Sequence, residues 1–129
     1  MDTDALKDRF KQFALDAVLF CEQLPEKGIY KVINNQMMRS STSSASNYRA
    51  ACRRKSTRDF IAKLGIVEEE LDETLFWLEF TVKYDDKWRS SVAPIWKEGN
   101  ELLSITIASI KTSRFNQAKN KDTPKSKKA

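Results

Sequence analysis

Apolar residues recur every three or four positions along most of the chain. Leu6, Phe10, Phe13, Ala17, Phe20 and Leu24 lay one seam along a helix from about Asp4 to Gln23. Leu24-Pro25-Glu26-Lys27-Gly28 ends it, because proline disfavours helical geometry in the residue before it and glycine accepts turn conformations. From Ile29 to Arg54 there is neither proline nor glycine, and Ile33, Met37, Ser40, Ser44, Tyr48 and Ala51 again step by three and four. The middle of that stretch, Ser40-Ser41-Thr42-Ser43-Ser44-Ala45-Ser46, has the local preference of a loop, since short hydroxyls offer the backbone competing hydrogen bonds. Periodicity favours a helix whose small residues admit a close neighbour. The other reading is a serine-rich linker between two hairpins.

Ser56 followed by Asp59 resembles a capping box and starts a third helix, with Phe60, Leu64, Val67, Leu71, Leu75, Leu78 and Val82 as its seam to about Tyr84. Its later half carries a second stripe, Trp77, Phe80 and Tyr84, on a different face from Leu78. That surplus aromatic surface predicts packing against another subunit, with a wide intramolecular interface as the alternative. After a polar connection, Ser90 or Ser91 can cap a fourth helix with Pro94 in its first turn. Val92, Ile95, Trp96, Leu102, Leu103, Thr106, Ile107 and Ile110 give this helix its apolar stripe, and it is expected to fray near Phe115. Four amphipathic helices with short connections predict an all-α, up-down-up-down antiparallel four-helix bundle over residues 1–115.

Composition narrows the chemistry. At 129 residues and 40% hydrophobic, the chain supports one packed core and is too short for two. Three glycines and three prolines are too few for the turns of a strand-rich fold. The chain contains no histidine, which excludes imidazole-based catalysis and metal ligation. Cys21 and Cys52 have no CxxC spacing and are expected to be buried free thiols. No apolar run approaches the ~20 residues that span a bilayer. Asp2, Asp4 and Asp8 stand where a secretory signal needs a basic start, so a cytoplasmic protein is expected.

Charge is unevenly placed. The segment 116–129 holds five lysines against Asp122 and nothing apolar larger than alanine, and is expected to be a disordered basic tail. From Lys27 to Lys63 the net charge is +8; from Glu68 to Asp86 it is −7. Either a basic face binds anions, or a basic helix lies against an acidic one. Arg49 and Arg53 are four apart, a spacing at which like charges repel on a helix, so something must compensate. Glu69, Glu70 and Glu73 form the acidic group to weigh as a metal site, but the Glu-x-x-His of bundle metalloproteins is absent and no metal or cofactor is expected. There is no phosphate-binding glycine loop.

Gln36-Met37-Met38-Arg39-Ser40, Ser43, Asn47-Tyr48-Arg49, Ser56, Asp59-Phe60-Ile61, Lys63-Leu64, Ile66, Glu70, Glu73-Thr74 and Trp77-Leu78 together resemble a known family. It is the four-helix-bundle family once labelled S23 ribosomal protein, encoded by intervening sequences within bacterial 23S rRNA genes. The likeness runs from about Phe13 to Phe80. That family is similar in fold to the accessory variability protein of diversity-generating retroelements, a homopentameric barrel that works with a reverse transcriptase and nucleic acid. The resemblance implies a helical serine-rich run, a pentamer, RNA or DNA binding, and no established enzymatic activity. Two positions depart from the family pattern: Ala50 replaces an acid, and Glu69 replaces a lysine.

The expectation is therefore a non-enzymatic homo-oligomer that presents Arg39, Arg49, Arg53, Arg54, Lys55 and Arg58 to nucleic acid and self-associates through Trp77, Phe80 and Tyr84. The alternative is a protein-interaction scaffold or accessory subunit for a partner such as a reverse transcriptase. A metal-dependent nuclease using Glu70 and Glu73 is the least favoured reading.

Overall fold

The computed structural model describes residues 2–121. Four helices follow in order, α1 Thr3–Cys21, α2 Ile29–Cys52, α3 Thr57–Tyr84 and α4 Arg89–Lys121, with one 3-10 turn at Asp86–Trp88. α1 packs on α2, α2 on α3 and α3 on α4, while α4 closes more loosely back on α1. This is the all-α up-down-up-down bundle that the periodicity predicts. No helix among the described residues is long and apolar enough to cross a membrane.

Each helix boundary has a local cause. Asp2 caps α1 by accepting from the Ala5 amide at 2.7 Å. At the other end, Asn34 on α2 donates from Nδ2 to the Cys21 carbonyl at 2.9 Å, satisfying one of the carbonyls a helix terminus leaves open. Gly28 supplies the turn before α2 at φ 56°, a conformation with little steric cost only for glycine. Ser56 caps α3 by accepting from Asp59 N at 3.1 Å. The return bond differs from a standard capping box, since Asp59 Oδ2 accepts from the amide of Lys55 rather than of Ser56, at 3.2 Å.

α4 departs most from the sequence reading. Asp85 caps the 3-10 turn, accepting from Lys87 N at 3.1 Å, and α4 starts at Arg89. Ser90 and Ser91 therefore lie inside the first turn instead of capping it, and Pro94 sits beyond that turn. The helix continues past Phe115 through residues 116–121, so the described part of the expected tail is helical. Residues 122–129 lie outside the described residues.

The core has two apolar clusters. Phe10, Phe13, Tyr48, Leu64, Leu71 and Leu102 centre the first; Phe20, Tyr30, Ile33, Met37, Leu78 and Val92 centre the second. Between Met37 and Tyr48, where α2 passes from one cluster to the other, its inward positions are Ser40, Ser41 and Ser44, all fully buried. The serine run is helix because its hydroxyls are satisfied within the bundle. Ser44 donates to the Ser41 carbonyl at 2.7 Å, and Ser40 lies 2.7 Å from the Thr74 hydroxyl, which itself donates to Glu70 O at 2.9 Å. Ser40 Oγ also reaches the Met37 carbonyl at 3.4 Å, so either hydroxyl of the Ser40–Thr74 pair has a backbone acceptor when the other donates, and these buried hydroxyls escape the desolvation cost of an unpaired polar group. Gly99 faces the first cluster, and a Cβ there would lie 2.8 Å from the Phe13 ring, so α4 approaches at a distance that glycine alone permits.

Cys21 is buried, and that burial pushes its thiol up to about 12, so it stays protonated. Cys52 is only half-buried, which corrects the expectation that both thiols lie in the core.

Candidate nucleic-acid interface

The outer face of α2 near its C-terminus carries Arg49 and Arg53, one turn apart and both exposed. Antiparallel pairing brings Lys7 and Lys11 of α1 alongside them, and together with Asp4 and Asp8 these residues line a groove of about 670 Å³. Its small side chains are Ala14, Thr42, Ala45 and Ser46. A second depression of about 410 Å³ shares Ser46, Arg49 and Arg53 and adds Lys55, Asp59 and Lys63 on the α3 side. Arg49 and Arg53 thus form a ridge between two hollows.

The pairing of these cations decides which of them can meet an anion. Lys7 is 3.0 Å from Asp4, and Lys63 is 2.7 Å from Asp59. The Lys63 hydrogen bond, and then that of the Lys55 amide, hold the Asp59 carboxyl below the usual carboxylate range. Among the described residues, no carboxylate lies within ion-pair distance of the Lys11, Arg49, Arg53, Lys55 or Arg58 side chains, although the Lys55 charge also acts on the Asp59 carboxylate. What offsets the repulsion between Arg49 and Arg53 is the C-terminal end of α2, where the helix dipole favours cations by about 0.3–1 kcal/mol each. Arg54 lies over the Phe60 ring at 4.4 Å, a cation–π contact that holds the guanidinium plane while leaving its edge open.

Arg39 is different, since among the expected binding residues it is paired with acids. Its Nη1 donates to Glu70 at 2.8 Å, and its Nη2 lies 2.6 Å from Glu73, both on α3. Contact with Glu73, and then with Glu70, raises the guanidinium pKa above its ordinary value. Arg39 is already neutralised by the acidic segment, so the basic-helix-beside-acidic-helix reading holds at this position and fails at Arg49 and Arg53. Glu70 and Glu73 face this arginine, and no group of three or more potential metal ligands occurs among the described residues.

The aromatic stripe also divides. Trp77 and Phe80 are half-buried and pack against the second core cluster, while Tyr84 is 59% exposed and meets Tyr30 edge-on at 5.5 Å. Phe76, which lies outside the predicted stripe, is 53% exposed and touches both Trp77 and Phe80. Lys7 and Lys11 are the other omission. Their spacing of four on the flank of the α1 seam is the signal that could have placed them beside α2.

A family model described as 23S rRNA-intervening sequence protein matches residues 5–108. The chain belongs to that family. The groove residues, apart from Asp4 in the first turn of α1, fall within the matched segment. The chain is also similar to a crystal structure of a protein of unknown function from the S23 ribosomal protein family of Bacteroides thetaiotaomicron. The two are 32% identical with a TM-score of 0.78, over 86% of this chain and 99% of that one. No curated protein matches the chain.

Proposed function

We propose that this chain is a non-enzymatic nucleic-acid-binding bundle, with Arg49, Arg53, Lys55 and Arg58 as its principal contacts and Lys11 as an additional one. The observation that carries this reading is the clustering of α2–α3 cations with no carboxylate within ion-pair distance among the described residues, whereas Arg39 of the same basic segment is paired with two acids. Uncompensated clustered cations are the electrostatic footprint of a polyanion site. The family description, which ties these proteins to rRNA genes, supports RNA as the first ligand to try. Titration of the protein with RNA and with duplex DNA across a salt series tests it: affinity should fall steeply with salt. Absence of binding at low salt would overturn it.

The exposed Phe76 and Tyr84 favour self-association through α3 as part of the same reading. Light scattering at micromolar concentration should give an oligomer, a pentamer if assembly follows the retroelement accessory protein. A strict monomer would remove this part of the proposal and leave α3 as a surface for a different protein.

A further inference from the structure

The lining of the α1–α2 groove narrows the class of nucleic acid that the basic end would take, an inference that rests on the nucleic-acid-binding function proposed for it. The cations stand in two rows, Lys7 and Lys11 on α1, with Lys7 already paired to Asp4, and Arg49 and Arg53 on α2, each pair one helical turn apart. Cβ atoms at that spacing are about 5–6 Å apart, so each row is a short line of charge instead of a point. None of the groove's lining residues carries a ring. The exposed rings Phe76, Tyr84 and Phe115 all belong to α3 and α4.

That absence matters because proteins that hold single strands stack bases on aromatic side chains, worth roughly 5- to 150-fold in affinity per base. This groove offers guanidinium forks, ammonium groups and the hydroxyls of Thr42 and Ser46, which suit phosphate oxygens and ribose hydroxyls. Recognition by charge alone favours the ligand of highest linear charge density. A duplex carries one phosphate charge per ~1.7 Å of axis, against ~3.4 Å for one of its strands. We infer that the α1–α2 groove takes the sugar-phosphate backbone of a base-paired nucleic-acid segment, independently of its base sequence.

Asp8 sets a limit on that affinity. It is exposed in the groove and, unlike Asp4, has no cation within ion-pair distance among the described residues, so it repels an approaching phosphate and steers the strand toward α2. The test uses the full chain and fluorescence anisotropy at several salt concentrations, with three probes: an RNA duplex of ~20 base pairs, a second duplex of scrambled sequence, and an oligouridylate of equal length. The two duplexes should bind within about twofold of each other and at least about tenfold more tightly than the single strand. Asp8→Asn should tighten duplex binding by roughly twofold or more by removing one like charge; thermal melting checks that it stays folded. A single strand that binds as tightly as the duplex, or a clear preference between the two duplexes, overturns the inference and leaves the nucleic-acid reading standing. An Asp8→Asn variant with unchanged affinity removes the strand from this groove. Loss of binding to all three probes at low salt overturns both.

Discussion

At the end of the bundle where α1 turns into α2 and α3 into α4, Phe20, Tyr30, Tyr84 and Trp88 meet edge to face. Trp88 donates from Nε1 to the Tyr30 hydroxyl at 3.1 Å. Two of the cations there reach acids close by in sequence, Lys87 to Asp85 and Arg89 to Asp86, while Lys27, Lys31 and Lys83 have no carboxylate within ion-pair distance among the described residues. At the opposite end, where α2 gives way to α3, Arg49, Arg53 and Arg58 have no carboxylate partner among the described residues, and the one ring recorded beside a cation, Phe60, lies beneath Arg54. The aromatic end is held by contacts within the chain. The basic end leaves charge unmatched, which folding does not require and a polyanion can use. The contrast teaches that a charge run acquires meaning from its pairing, since Arg39 belongs to the same basic segment yet serves as a bridge between α2 and α3.

The comparison breaks most severely if the aromatic end is removed. Phe20→Ala should cost about 3–5 kcal/mol by chemical denaturation, since a buried ring is lost and its cavity cannot fully collapse. The affinity of the remaining folded protein for RNA should not change. Arg39→Gln is gentler. It strands the Glu70 and Glu73 carboxylates beside each other on α3 and should cost about 1 kcal/mol, once discounted for the half-exposed guanidinium. It too should leave RNA affinity unaltered, and a large loss of binding would return Arg39 to the interface.

The smallest expected effect concerns the cap of α3. Asp59 titrates below its unfolded value, so its contribution is complete above the unfolded pKa of about 4 and is lost as pH falls through the lower folded value. Asp59→Asn should therefore lower the Tm slightly at pH 7, and the gap from the parent protein should close as the pH drops below about 4. A gap that persists unchanged at low pH would assign the loss to the cap's shape, not to its charge.

The helices were legible because their apolar spacing is regular and each break holds proline, glycine or a capping serine. The serine run was ambiguous for a physical reason: hydroxyls favour a loop until buried partners satisfy them, and the partner of Ser40 is Thr74 on another helix. The start of α4 was misplaced because Asp85, not Ser90 or Ser91, takes the capping role one 3-10 turn earlier. The candidate site was half legible. Arg49 and Arg53 could be chosen from the charge run alone, whereas the Arg39 pairing spans more than thirty residues of chain and depends on the register of α2 against α3. Lys7 and Lys11 enter the site only through the antiparallel packing of α1 on α2, which places two distant segments of modest charge side by side.

The most direct measurement is the salt dependence of RNA affinity in the Arg49→Gln/Arg53→Gln double variant, taken together with its thermal stability. The expected result is an unchanged Tm, a Kd weakened by about tenfold or more at low salt, and a slope of log affinity against log salt shallower by nearly 2, as two lost phosphate contacts require. A variant that binds RNA with the parent's affinity and slope would contradict a recognition role, because the unpaired arginines at the end of α2 would then have no part in it.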